Sequence, residues 1–410
     1  MNDYQTHVFT STYTADVSGV CSAMYELGGM TVLHDPSGCN STYSTHDEPR
    51  WFDGKSLMFV SGLDEMTAVL GDDQVLIRDI ADAAEDFHPR FITLCGGSIP
   101  HVIAFDYKGC ARLIEDGCGV PVLPVKTDGM KSYVSGVGRA LTEFIRKFAD
   151  PKEQEEGKKS LSVNLLGVTP LDFSINGNAE ALRESFEEAG IRVNCCAAMG
   201  ETFEGLSHIY RGSVNVVVSS AGRRPARYME RTAGIPRVEG LPVGAFAEET
   251  LIREVRSAYL DRKNRMIWDE SDSSDEKTDF SVEDLEGGFS GENALTIPEG
   301  QILILGEEVY AKSLAMAVNH LPESLREGKK AYAFFPDIDE GIPEAVLIPQ
   351  VRSCSVLISD PLYRVVMKPG QNTRFAAMPH EAYSGRIYRD SMRKFVGKSF
   401  DVEEFLRSAE

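Results

Sequence analysis

The chain has 410 residues, 42% hydrophobic and 26% charged, with a formal net charge of −21. That length exceeds one ordinary core and predicts two or three α/β units, while the acidic balance argues against a nucleic-acid partner, which wants a basic face. Eight irregularly spaced cysteines with no CxxC pair argue against a disulfide framework, a zinc finger or a thioredoxin-like site.

The first twenty residues are polar, carry Asp3 and Asp16, and lack the basic and apolar segments of a secretory signal. No apolar run approaches the roughly 20 residues that span a bilayer. These features predict a cytoplasmic protein with no membrane partner. Its acidity favours solubility and a partner with a basic surface.

Short apolar runs alternate with helical patterns, which predicts α/β architecture with mainly parallel sheets and crossover helices. In a first unit, residues 1–150, residues 30–33 read as a strand. Ile77, Ile80 and Ala84 then mark a helix face, and residues 91–94 and 119–125 read as further strands. The charged stretch 149–157 reads as a surface linker. A second unit, residues 160–265, opens with a strand over 162–168. The helix after it is punctuated by Asn178 as N-cap, Leu182 and Phe186 on its apolar face, and Gly190 as the C′ stop. Residues 191–193 and 214–218 follow as strands, the latter leading through a polar turn into another helix. Residues 266–292 are rich in Asp, Glu and Ser and predict a flexible acidic linker. A third unit, residues 293–410, carries strands over 301–305, 330–335, 356–359 and 373–378, each followed by a polar or Gly/Pro turn.

Two thiols stand at strand ends. Cys39 closes His34-Asp35-Pro36-Ser37-Gly38-Cys39, and Cys95 closes Phe91-Ile92-Thr93-Leu94-Cys95 before Gly96-Gly97. Strand ends on one sheet edge share a crevice, so thiols distant in sequence can converge there. Thiolates are soft donors for iron, and three or four hold a cubane. Cys21, Cys39 and Cys95 are therefore candidate ligands of an iron–sulfur cluster. A fourth position is left for a partner subunit, a carboxylate or another group. The competing reading is inert buried cysteines, which is also the reading for Cys110, Cys118, Cys195, Cys196 and Cys354.

A second constellation lies at later strand ends. Arg223 and Arg224 open a helix, where backbone N–H groups and guanidinium forks can bind carboxylate or phosphate. His380 follows a strand and can ligate a metal, transfer protons or cap a loop. These three are the candidate cofactor-binding positions, against a bland alternative of surface arginines and a satisfied loop histidine. Asp360 before Pro361 reads as turn chemistry. No GxxxxGK[ST] segment exists, so ATP work would belong to a partner.

The run Leu33-His34-Asp35-Pro36-Ser37-Gly38-Cys39 resembles the His-Gly-Pro-x-Gly-Cys segment of nitrogenase component 1 proteins. These comprise the two molybdenum–iron protein subunits, their cofactor-assembly homologues and the subunits of dark-operative protochlorophyllide reductase. The likeness continues through Gly62-Leu63-Asp64-Glu65 and Gly71-Asp72-Asp73 to the strand ending at Cys95. It resumes at Asn215-Val216-Val217-Val218, Tyr228-Met229-Glu230-Arg231, Gly234-Ile235-Pro236 and Ile304-Leu305-Gly306-Glu307.

The resemblance implies three Rossmann-like units around a metallocluster. It also implies a protein that accepts electrons from an ATP-hydrolysing iron protein through an iron–sulfur cluster, [4Fe-4S] or larger, shared at the interface with a paralogous subunit or a second copy. Carried over, Cys39 and Cys95 are its ligands. The family's first ligand would fall among residues 11–16, where there is no cysteine. Cys21 substitutes from a shifted turn, Asp16 supplies oxygen, or the site is one ligand short. Asp35 replaces the usual glycine. Val218-Ser219-Ser220 stands where catalytic molybdenum–iron subunits carry a cofactor-anchoring cysteine, so dinitrogen reduction in this chain is not expected. The leading expectation is a nitrogenase-like oxidoreductase subunit acting on an unidentified small molecule. The alternatives are a metallocofactor assembly scaffold and a cluster-less α/β binding or structural subunit.

Overall fold

A computed structural model describes residues 14–40, 48–52, 54–268, 297–336, 344–368 and 370–410. The first unit contains strands β1 (Met30–His34), β2 (Leu57–Val60), β3 (Ile92–Gly96) and β4 (Val122–Pro124). With them come helices α1 (Asp16–Met24), α2 (Ser37–Asn40), α3 (Glu65–Leu70), α4 (Gln74–Phe87), α5 (Ser98–Val102), α6 (Tyr107–Cys118) and α7 (Tyr133–Phe148). The second runs α8 (Gln154–Gly157), β5 (Ser162–Leu166), α9 (Pro170–Phe173), α10 (Asn178–Glu188), β6 (Arg192–Cys196), α11 (Phe203–Ser207), β7 (Val214–Val217), α12 (Arg223–Ala233), β8 (Arg237–Glu239), α13 (Gly244–Asp261) and β9 (Arg265–Met266). The third runs β10 (Ile302–Leu305), α14 (Glu308–His320), β11 (Ala331–Phe334), α15 (Glu344–Ser353), β12 (Val356–Ser359), β13 (Arg374–Ala377), α16 (Glu381–Ser384) and α17 (Val402–Arg407).

The three sheets repeat one topology: β2-β1-β3-β4, β6-β5-β7-β8-β9 and β11-β10-β12-β13. Neighbouring strands within them are parallel, as in β1 beside β3, β5 beside β7 and β10 beside β12. Strands with both faces covered read as continuous apolar runs, which is why 214–217 and 302–305 are legible in the sequence. In each unit the chain leaves the first strand to opposite sides, so the carboxyl ends of β1/β3, β5/β7 and β10/β12 are topological switch points, where open α/β sheets bind ligands.

Three sequence expectations are corrected. Asn178 does not cap α10; Gly177 does, with φ of 93°. The Asn178 side chain instead donates to the carbonyls of Phe173 and Arg393 and accepts from the amides of Phe395 and Val396, tying the C-terminal segment to the second unit. The charged stretch 149–157 is not a bare linker, because Gln154 and Gly157 are buried within α8. The acidic linker does not begin at 266, since Met266 pairs with Glu239 in β9 and Ile267 is buried. Residues 269–292 of that stretch lie outside the described residues. Gly190 stands past the end of α10 with φ of 72°, as its role as a stop requires. Two elements leave no clear mark in the sequence: α1, whose nine residues are all buried, and the edge strand β2.

The second and third units share one hydrophobic core, which includes Leu165, Leu182, Val216, Ile304, Leu314, Ile358 and Phe405. In the first unit α1 lies against α7 at backbone contact. A Cβ on Gly19 would stand 2.2 Å from the Tyr133 carbonyl oxygen, and one on Gly136 would stand 1.9 Å from that of Asp16. Gly136→Val should therefore force the two helices apart and destabilise the protein by about 3 kcal/mol or more, read as a lowered urea midpoint. A midpoint within error of wild type would refute the contact.

Candidate functional site

The register of β1 on β3 pairs Leu33 with Cys95 and His34 with Gly96. Cys95 is fully buried in one core with Val17 and Cys21 of α1. The neighbouring Cys21 thiol, then burial, then the carboxylates of Asp16 and Asp35 push the Cys95 thiol well above its ordinary range. A metal cation that replaces the proton removes that strain, because the ligand is the thiolate. Cys39 lies in α2, immediately beyond β1 and so at the same switch point; its side chain lies outside the described residues. The structure thus brings Cys21 and Cys95 together and puts the backbone of Cys39 at the shared edge. Among the described residues no group of three or more His, Cys, Asp or Glu side chains is gathered closely enough to hold a metal ion.

Asp16 opens α1 beside this pair. Its carboxylate accepts the amides of Asp128 at 3.0 Å and Gly129 at 2.9 Å. Burial, outweighing those bonds, raises its pKa from 3.8 to about 6. The stretch just before β2 is tied down by Arg50. Its guanidinium donates to Glu48 (2.6 Å), Glu26 (2.7 Å), the Ser22 carbonyl (2.7 Å) and the Ala198 carbonyl (3.0 Å). Because Ser22 follows Cys21, one buried cation links α1, residues 48–50 and the second unit.

A narrow crevice forms where the switch points of the second and third sheets face one another. Its wall includes Asp172 and Val218 from the second unit and Glu307, Asp360, His380 and Tyr383 from the third, and the cavity between them is about 10 Å³, room for about one water. Asp172 accepts from Tyr133 (2.5 Å), Ser219 (2.8 Å) and Thr169 (3.2 Å), and lies 3.4 Å from His380 Nε2. Glu307 accepts from the amide and hydroxyl of Ser220 at 2.8 and 2.5 Å and from the Tyr310 amide at 3.0 Å. Burial, and then Asp172, raise the Glu307 pKa. Asp360 accepts the Leu362 amide, the turn role read from sequence, and also the His380 amide at 2.8 Å. His380 is buried, and neither ring nitrogen has a hydrogen-bond partner.

The two arginines go elsewhere. Arg223 pairs with Glu239 at 2.8 Å and with Glu308. Arg224 is exposed, its stem against Gly138 and its charge among those of Arg139, Arg146 and Arg231. They are not brought to His380. Sequence reasoning misses Tyr133, Asp172 and Glu307. The one available signal is a carboxylate just past an apolar strand, after 162–166 and after 302–305, and turn-forming Asp and Glu give the same signal everywhere. Both sites border one core, shared by Cys21, Cys95, Tyr133, Leu171 and Ala382.

The family model described as nitrogenase component 1 type oxidoreductase matches residues 19–301. The chain is 26% identical over 242 residues to a subunit of the light-independent protochlorophyllide reductase of Prosthecochloris aestuarii, covering 58% of this chain and 44% of that protein. It is 24% identical over 217 residues to the nitrogenase iron-molybdenum cofactor biosynthesis protein NifE of Methanococcus maripaludis, covering 51% and 43%. The match therefore spans less than half the length of these curated relatives. The solved structure titled "Nitrogenase Cp1 at pH 6.5" superposes with a TM-score of 0.64 over 99% of this chain and 93% of that one, at 14% identity, which shows a shared fold. No described helix is long and apolar enough to cross a membrane.

Asp16 generates a pH prediction for the metal-free protein. With its pKa raised from 3.8 to about 6, the folded state binds a proton across that interval that the unfolded state releases. Its stabilisation is full below about pH 4 and is lost as pH rises through about 6, an effect of about 3 kcal/mol. Asp16→Asn should flatten the fall in unfolding free energy between about pH 4 and 7, measured by urea titration; an unchanged slope would assign the dependence to other groups.

Proposed function

Because the chain belongs to the nitrogenase component 1 type oxidoreductase family, on a match that covers most of its length, we propose that it is a reductase subunit. It accepts low-potential electrons through an iron–sulfur cluster and delivers them to an unidentified small molecule. The observation that carries this reading is the buried Cys21–Cys95 pair at the switch point of the first sheet. Cys95 and Cys39 would hold the cluster, with Cys21 beside them. A cubane needs three to four ligands, so the set is completed by Asp16 or by a paralogous subunit or second copy. Bound there, the cluster supplies one-electron storage. The chain's own residues bury Cys21 and Cys95 and, through Arg50, hold Glu48 against α1.

The electron donor in this proposal is an ATP-dependent iron-protein partner. Its support is an exposed apolar surface on elements that spring from the same sheet edge as Cys95. Met66, Val69 and Leu70 of α3 are 66–77% exposed, and Ile99 and Val102 of α5 are 41% and 77% exposed. Clustered apolar exposure of this kind marks a contact site. Arg223 serves the joint between the second and third units. The likeness to a cofactor biosynthesis protein favours a second reading, a scaffold that assembles and releases a metallocofactor. Turnover of a substrate, as against donation of a cofactor to another apoprotein, separates the two.

Purified without oxygen from iron-replete cells, the wild-type complex should be brown. Cys39→Ser or Cys95→Ser should lower bound iron at least twofold, and Cys354→Ser should leave it unchanged. Equal iron in all variants would defeat the cluster assignment. Leu70→Asp should keep the iron but slow ATP-dependent cluster reduction by about tenfold. An unchanged rate would move the docking face elsewhere.

A further inference from the structure

The first sheet has a cavity of its own. Met30, Val32 and His34 alternate along β1 and so share one side of the sheet, while Leu76, Ile80 and Ala83 recur at helical spacing on α4 and face back toward them. At the edge strand the cover fails. Every residue of β2 is only half-buried, and α3, six residues long, buries none of its own. The gap left between β1, β2, α3 and α4 is about 190 Å³. That exceeds the apolar cavity of about 150 Å³ that takes benzene, whereas the crevice around His380 has room for about one water.

The wall is mostly aliphatic, with Met30, Val32, Leu63, Leu76 and Ile80, and Phe59 adds one aromatic ring. His34, on the same wall, is 3% exposed, its ring 4.3 Å from that of Phe105. The Ser61 hydroxyl accepts the Asp35 amide at 3.2 Å and lies 2.9 Å from His34 Nδ1. The arrangement that satisfies both gives the hydroxyl proton to Nδ1 and leaves the ring's own proton on Nε2. Burial, outweighing the nearby Asp73 carboxylate, keeps the ring neutral, its pKa lowered from 6.5 to about 4. Nε2 is then an N–H donor, and among the described residues it has no partner. A buried donor left unmatched is costly and points to an acceptor that completes it. The charged groups on the wall, Asp64 and Asp79, are both acids, and among the described residues no lysine or arginine lines it. An anion would meet like charges there, and any charge against the apolar wall would lose its hydration.

We propose that this cavity binds a compact, uncharged molecule of about one aromatic ring in size, apolar over most of its surface and presenting one acceptor oxygen to the His34 N–H. The site goes beyond the electron-transfer reading and stands whether or not a cluster forms at Cys95. The two lie on opposite faces of the first sheet: Met30 and Val32 share a core with Leu76 and Ile80, and Cys95 shares another with Val17 and Val137.

Acetophenone, cumene and benzoate share one heavy-atom skeleton and differ in the group beside the ring: a ketone, an isopropyl group and a carboxylate. Met30 lines the cavity, and its carbon-13 methyl resonance in the full-length protein, assigned with Met30→Leu, reports occupancy. Acetophenone should shift it saturably, at least tenfold more tightly than benzoate and several-fold more tightly than cumene. His34→Phe should bring acetophenone down to the affinity of cumene, and retained cumene binding shows that this variant keeps the cavity. Ala83→Phe, which fills the space from α4, should weaken both by tenfold or more. If no probe moves Met30, the cavity is not a ligand site. If benzoate binds as tightly as acetophenone, the uncharged class is wrong. If cumene matches acetophenone in the wild type, the His34 contact is wrong.

Discussion

How closely α1 can lie against α7 governs the arrangement of both sites. The helix is buried on every side, and only glycine at positions 19 and 136 lets the two backbones touch. Its entry is held by a short network in which the Asp16 amide donates to the Lys131 carbonyl, the Tyr133 amide to Thr14, and the Thr14 amide to Ala382. One consequence is that Cys21 reaches Cys95 on one side of the pair while Tyr133 reaches Asp172 on the other. A side chain at either glycine would separate these contacts together, because close-packed interiors transmit strain instead of absorbing it.

The carboxylates of the crevice are also joints between units. Asp172 of the second unit accepts the Tyr133 hydroxyl of the first. Glu307 of the third accepts the Ser220 amide and hydroxyl of the second, and Arg223 answers from the second unit toward Glu308. Buried charges of this kind stabilise little by themselves and are costly to leave unpaired. Their consequence is registry: the switch points of the second and third sheets face one another, and the acids that align the units line the space between. Asn178 performs the matching task for the C-terminal segment, which returns so that Phe375 and Glu410 exchange backbone hydrogen bonds.

Legibility follows burial pattern. The strands of the third unit are readable to within a residue or two because both faces of a parallel sheet are covered and the apolar run is unbroken. Cys95 is readable at the end of its strand, whereas Cys39 belongs to a short helix just beyond β1. The helix α1 is invisible: buried all round, with Asp16, Ser18 and Ser22 among its residues, it shows no amphipathic stripe. Asn178 looks like a cap because Asn is a good one, yet a segment more than 200 residues away takes its side chain. Arg223 and Arg224, adjacent in sequence, end on opposite errands since neighbouring helical positions point about 100° apart.

The amino-acid sequence alone determined the periodicities, and with them three α/β units, most of their strands and the thiol of Cys95 at a strand end, because secondary structure and local turns answer to neighbours a few residues away. Tertiary structure decided which side chains meet. That Cys21 lies beside Cys95, that His380 shares a crevice with Asp172, Glu307 and Asp360, and that a glycine pair sets the spacing of both sites depend on contacts across tens to hundreds of residues. Their energies depend on burial, and burial is a property of the assembled fold.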